Sequence, residues 1–170
     1  QSIFEGLKAY AQPDGSVATF RPEANAPRFA PGARRLAMPP VPLGAFIAAV
    51  DALVEADRDW VPTGPDQTLY IRPYQLASEP FLGVRPASEY LFLVIASPAG
   101  AYFPRGVHPV SVYLSEDYIR AAPGGTGDVK CAGNYAASLL AQEQAVAAGC
   151  DQVVWLDAVE KKYVEEMGGM

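Results

Sequence analysis

The sequence predicts an α+β fold, mixed α/β in its wider layout, with a small first unit followed by the start of a larger one. Three observations carry this. Runs rich in aromatic and β-branched residues surround one amphipathic helix in the first part of the chain. The stretch "SPAGAYFPRGVHP", residues 97–109, is dense in Gly and Pro and lacks periodicity, as a boundary should be. Beyond it a strand, a long loop, a helix and a strand pair follow in order. The expected limits are a small α+β domain over 1–98, a linker over 99–109, and the first part of a larger domain over 110–170.

Taken in order, "FEGLKAYAQPDGSVATFRP" sets two apolar runs around Pro13-Asp14-Gly15. Pro fixes φ and Gly permits φ > 0, so a hairpin is expected over 6–12 and 16–20. Prolines punctuate "PEANAPRFAPGARRLAMPP", which predicts a short, broken helix over 23–36. Phe46, Val50, Leu53 and Val54 recur at helical spacing and predict a helix over 43–57. "TLYIRPYQLAS", "EYLFLVIASPAG" and "VSVYLS" read as strands. "EDYIRAAPGGTGDVKCAG" is a long loop, and "NYAASLLAQEQAVAAG" a helix with Asn134 as N-cap and Gly149 as its stop. "CDQVVWLDAVEKKYVEE" closes as a strand pair turning around 158–161.

Half of the 170 residues are apolar, enough for a real core. The opening "QSIFEG", without an initiator Met, and the close on "EEMGGM" predict a segment of a longer protein. A formal charge of −6 with scattered Lys and Arg argues against nucleic acid as a partner. No apolar run approaches the roughly 20 residues of a membrane span, and no signal peptide is visible. Cys131 and Cys150 form neither a metal pair nor a disulfide framework, so the expected setting is reduced and cytoplasmic. His108 has no second histidine to join it, and no metal site is expected.

The chemistry concentrates on "GGTGDVKCAGNYAAS", residues 124–138, where Lys130 lies among small residues and Tyr135 follows. A nucleotide P-loop needs Gly before its lysine and Ser or Thr after it; Val129 and Cys131 break that pattern. The glycines also lack the strand-and-acid context of a dinucleotide fingerprint. A lysine of ordinary pKa, about 10.4, is protonated at neutral pH, and burial or a neighbouring cation is needed to make it a nucleophile. Spacing alone leaves Lys130 between a solvated loop lysine and a Schiff-base nucleophile. The small neighbours would let a flat ligand approach the backbone.

The blocks "RAAPGGTGDVKCAGNYAASLLAQ" and "GCDQVVWLDAVEKKYVEEMGGM" resemble the branched-chain amino-acid aminotransferases. These are class IV, fold-type IV enzymes that depend on pyridoxal 5′-phosphate (PLP). The resemblance continues upstream, in family order, through "FEGLKAY", "FRPEANAPR", "LYIRP", "LGVRPASEY" and "SPAGAYFPRG". It implies that Lys130 forms the Schiff base with PLP and then shuttles a proton to and from the substrate. It implies that Tyr135 hydrogen-bonds the cofactor's ring oxygen and that Glu166 faces the pyridine nitrogen. A carboxylate there keeps the nitrogen protonated and the ring an electron acceptor. Glu165 is its competitor, and strand alternation turns the two to opposite faces. Arg28 matches the arginine that binds the cofactor phosphate, where a guanidinium fork suits a dianion. Phe4, Tyr70, Arg72 and Tyr102 match the substrate pocket, aromatic walls for a branched chain and polar groups for a distal carboxylate.

The implied reaction is transamination of L-leucine, L-isoleucine or L-valine with 2-oxoglutarate, giving branched 2-oxo acids and L-glutamate. Leu82 and Val84 match a loop that reaches the neighbouring subunit's site, so a homodimer is implied. Gly169 stands where some members carry a threonine, which removes one hydroxyl contact near the substrate carboxylate. Neither Cys131 nor Cys150 stands for the redox pair of certain animal members. The alternatives are a D-amino-acid aminotransferase or an aminodeoxychorismate-lyase-like enzyme of the same fold. A silent phosphometabolite-binding domain is the rival of another class.

Overall fold

The computed structural model describes residues 1–101, 106 and 108–168; the chain divides into two compact units, Gln1–Pro104 and Arg105–Met170. Among the described residues no helix is long and apolar enough to cross a membrane.

The first unit contains β1 (Ser2–Phe4), β2 (Leu7–Ala11), β3 (Val17–Thr19), α1 (Pro22–Arg35), α2 (Leu43–Ala56), β4 (Thr68–Ala77) and β5 (Tyr90–Ala99). β4 is the spine of an antiparallel sheet: β5 pairs along its whole length, β1 and β2 share its other side, and β3 pairs with β2. Pro73 lies inside β4, a position that normally argues against a central strand. It is tolerated because its missing N–H falls where the chain passes from β1 to β2. There Glu5 N–H donates to the Pro73 carbonyl at 2.8 Å, so only the return bond to Glu5 is forfeited and the ladder to β5 on the other side is kept. β5 also runs on through Ser97, Pro98 and Ala99, so the first residue assigned to the linker belongs to the ladder.

Alternation along β4 decides which side chains face which layer. Leu69, Ile71, Pro73 and Gln75 are buried, and Tyr70, Arg72 and Tyr74 point to the opposite face. α1 and α2 cover the buried face, where Phe29, Phe46 and Phe92 form a ring cluster with centroids 5.6 to 5.9 Å apart. The structure corrects the expected broken helix: α1 is continuous through Pro27 and Pro31. Each proline costs a backbone bond, but Ala26, Phe29, Gly32 and Ala33 bury a face that offsets the loss. A Cβ at Gly32 would lie 3.3 Å from Ile3, so glycine sets how closely α1 approaches β1.

The loop 78–89 between β4 and β5 presents Leu82 and Val84 wholly to solvent. Its base is closed by Arg85, which donates to both Glu79 oxygens at 3.0 and 2.6 Å while lying 4.0 Å over the Phe81 ring. The Ser88 N–H adds a 2.6 Å bond to the same carboxylate. The Arg85 hydrogen bonds first, and that of Ser88 second, push the Glu79 carboxyl down from 4.5 to about 2. A depressed pKa contributes its stabilisation above the unfolded value of 4.5 and loses it as pH falls through about 2. Hydrogen exchange at Ser88 N–H, corrected for its intrinsic pH dependence, is therefore expected to stay slow at pH 5 and quicken toward pH 2. In Glu79→Gln it should be fast throughout; a parent protein equally protected at both pH values would refute the clamp.

The second unit contains β6 (Val112–Ser115), α3 (Ala132–Ala136), α4 (Leu139–Ala147), β7 (Gln152–Leu156) and β8 (Val164–Met167). β6 and β7 are parallel, so the chain crosses between them through the 116–131 loop and both helices. β7 and β8 form an antiparallel pair. The turn between them is organised by Asp157, which accepts backbone N–H bonds from Val159, Glu160, Lys162 and Tyr163 at 2.7 to 3.2 Å. Those donors hold the Asp157 carboxyl well below the usual carboxylate range. Ala141 and Ala145 of α4 pack on Val153 and Trp155 to make the core of this unit.

Where the sequence predicts one helix after Gly133, there are two. Ser138 N–H bonds back to the Tyr135 carbonyl at 3.1 Å, and its hydroxyl donates to the same oxygen at 2.7 Å, closing α3 before α4 starts. At the far end Gly149, φ +74°, stops α4 in the expected left-handed conformation.

Candidate functional site

The crossover between β6 and β7 builds the centre of the site. Asn134, expected as a helix cap, lies inside α3, buried, and clamps the preceding loop instead. Its amide donates to the carbonyls of Thr126 and Val129 at 2.7 and 2.8 Å, and its oxygen accepts from the Thr126 hydroxyl at 2.7 Å. The reason is satisfiability: a buried amide with four bonding positions finds more partners in the loop than at a helix end. The clamp closes on the residue before Lys130 and so fixes where that lysine leaves the backbone.

The glycines of this loop have a different job from the expected one. A Cβ at Gly127 would lie 2.3 Å from the Ala121 Cβ, and one at Gly125 would lie 2.9 Å from the Ala122 carbonyl oxygen. They let the loop fold onto its own alanines. Clearance for a flat ligand is not what those two positions provide.

Lys130 and Tyr135 come together, with Nζ 2.7 Å from the phenol oxygen and 5.0 Å from the ring centroid. Glu166 enters from β8, in register with Trp155 of β7, which places both side chains on one face of the sheet. Arg120 reaches the same place from the loop after β6; its Nε is 3.0 Å from Glu166 Oε1 and its guanidinium carbon 5.6 Å from the Tyr135 ring centroid. Arg120, Lys130, Tyr135, Trp155, Glu166 and Gly168 line one cavity of about 540 Å³. Glu165, next in the strand to Glu166, is not among its walls. The arrangement offers an amine, a phenol, a carboxylate and a guanidinium to one small ligand. Among the described residues no group of three or more His, Cys, Asp or Glu is placed to hold a metal ion.

A second group lies on the face of β4 turned away from the helices. The Arg72 guanidinium sits 4.4 Å over the Phe4 ring and 5.2 Å over that of Tyr70, and donates to the Tyr70 hydroxyl at 2.6 Å. Arg72 Nε is buried without a hydrogen-bond partner among the described residues. Arg28, on α1, donates through Nε and Nη2 to the two oxygens of Glu5 at 2.6 and 2.7 Å, and Asn25 adds 3.1 Å. Glu5 is only 1% exposed, whereas the Arg28 side chain is 63% exposed. The structure thus joins Phe4, Tyr70 and Arg72 in one cluster and Lys130, Tyr135 and Glu166 in another. Tyr102 and Gly169 lie outside the described residues.

Two participants escape sequence reasoning. Glu5 is hidden in the middle of "FEG", and Arg120 in "DYIRAAP", a lone cation between a strand and a glycine run. Their partners are 23 and 46 residues away along the chain, so no local pattern announces them.

Comparison with known proteins shows what the chain is similar to. No family model matches the chain. It is 66% identical, over 171 aligned positions, to the probable branched-chain-amino-acid aminotransferase of Streptomyces coelicolor, covering 100% of this chain and 47% of that protein. By sequence and by fold, the chain is similar to the branched-chain-amino-acid aminotransferases. The Mycolicibacterium smegmatis member is 62% identical, over 100% of this chain and 46% of its own length. A solved T.th. branched-chain amino acid aminotransferase with pyridoxamine 5′-phosphate superposes with a TM-score of 0.80 at 30% identity, covering 98% of this chain and 53% of that one. The same protein with N-(5′-phosphopyridoxyl)-L-glutamate gives 0.78 at 29% identity, over 98% and 52%. The chain spans about half the length of the curated relatives it matches, and its layout is that of fold-type IV enzymes.

Proposed function

We propose that this chain carries the PLP-binding lysine of a branched-chain L-amino-acid transaminase that uses 2-oxoglutarate as amino acceptor. The observation that carries the reading is the 2.7 Å contact between Lys130 Nζ and the Tyr135 hydroxyl, in a cavity shared with Glu166. The donor set fits the cofactor: an amine for its aldehyde, a phenol for its ring oxygen, a carboxylate for its ring nitrogen. When bound, PLP supplies a carbonyl for an amino group to join and a ring that accepts the electron pair left at the substrate Cα.

The chain's own residues do the rest. Lys130 Nζ would hold the cofactor and, once freed by the substrate's amino group, would carry a proton between the substrate Cα and the carbon that was the cofactor's aldehyde. Tyr135 fixes that nitrogen through its hydroxyl. Glu166 holds a proton on the ring nitrogen. Arg28, braced against Glu5, offers its exposed edge to the phosphate. Phe4, Tyr70, Arg72 and Tyr102 receive the side chain, rings against a branched aliphatic group and Arg72 against the distal carboxylate of glutamate. The clamped loop with Leu82 and Val84 reaches a second copy in a homodimer.

Borohydride reduction of the full-length protein with PLP, followed by peptide mapping, tests the reading. Pyridoxyl label is expected on Lys130; label on Lys8 or Lys162 instead would sink it. Comparing L-leucine with D-alanine as amino donor separates this function from that of a D-amino-acid aminotransferase.

A further inference from the structure

We propose that Arg120 is a positioning residue that holds the Glu166 carboxylate and the Tyr135 ring in a single arrangement. The inference rests on the cofactor reading above and adds a residue to it. Glu166 stands on β8, a strand paired among the described residues only with β7, and its side chain is 46% exposed. A carboxylate on such a strand has several rotamers open to it, and fixing one costs entropy. Arg120, 13% exposed, supplies the fixation: a charge-assisted contact of 3.0 Å from Nε. The same guanidinium lies 5.6 Å from the Tyr135 ring centroid, so one rigid planar group spans the acid and the phenol.

Packing alone does not account for an arginine here. Its Nη1 is buried without a hydrogen-bond partner among the described residues. Leaving such a donor unpaired is unfavourable, and methionine of similar length would avoid it. What methionine cannot provide is a positive fork beside Glu166. The chain also ties the two ends together: Arg120 opens the loop that Asn134 clamps at its other end, just before Lys130.

The test uses the full-length protein in parent, R120M, R120K, E166Q and R120M/E166Q forms, with PLP as the probe. Three quantities are read: borohydride label on Lys130, the visible absorption maximum of bound PLP, and the PLP dissociation constant. R120M should keep the Lys130 label, shift the absorption maximum in the same direction as E166Q, and raise the dissociation constant about tenfold, equivalent to about 1.4 kcal/mol. The double variant should lose less than the product of the two single effects, because both changes remove the same Arg120–Glu166 contact. R120K, which keeps charge without the fork, should recover part of the loss and serves as the comparison if R120M does not fold. An unchanged spectrum in R120M, or effects that multiply in the double variant, overturns the role of Arg120 while leaving Lys130 labelled. A parent protein without label on Lys130 removes the cofactor reading and this inference with it.

Discussion

Lys130→Met is expected to lower transamination by at least about 10³-fold, the range for removal of a group that is both nucleophile and proton carrier. The residual PLP should be bound without covalent attachment and be lost on dialysis, since no other side chain of the described cavity is an amine. Methionine keeps the length and removes the charge, so the Asn134 clamp on Thr126 and Val129 stays in place. Circular dichroism and melting temperature should therefore stay close to the parent values while activity with L-leucine disappears. Full activity in this variant would mean that the lysine beside Tyr135 is a surface residue after all.

Trp155→Ala should have the largest effect on stability. Trp155 is 1% exposed, packs with Ala141, Ala145 and Val153, and sits directly across the ladder from Glu166. Deleting a buried indole costs about 3–5 kcal/mol, from lost transfer energy plus the cavity left behind. The neighbours are alanines on α4, which are too small to close that space without moving the helix. Denaturant unfolding of the full-length protein should show the loss as a lowered midpoint at little-changed slope. PLP affinity should fall with it, because the wall beneath Glu166 is gone. A loss below about 1 kcal/mol would show that the sheet refills the space and that Trp155 is not the support of the site.

Much of this is legible in the sequence. The turn at Pro13-Asp14-Gly15 and the helix holding Phe46 and Val50 follow from local chemistry, and the structure has β2, β3 and α2 there. Lys130, Tyr135 and Glu166 stand out through resemblance, and they line one cavity. Other features are hidden because distant partners decide them. Two prolines argue for a broken helix, yet packing on the sheet keeps α1 whole. Asn134 looks like a cap by position, yet loop carbonyls compete for its amide and win. Gly125 and Gly127 look like room for a ligand, yet Ala121 and Ala122 occupy that room.

By itself the sequence determined most of the segments that become strands and helices and where the chain divides in composition. Those are properties of spacing and side-chain chemistry, readable within a few residues. Only the tertiary structure decided that Arg120 meets Glu166, that Glu5 braces Arg28, that Arg72 lies over Phe4, and that the Lys130 amine rests against the Tyr135 hydroxyl. The physical reason is that such contacts depend on strand register and on buried polar groups finding partners, and both are settled when distant segments pack together.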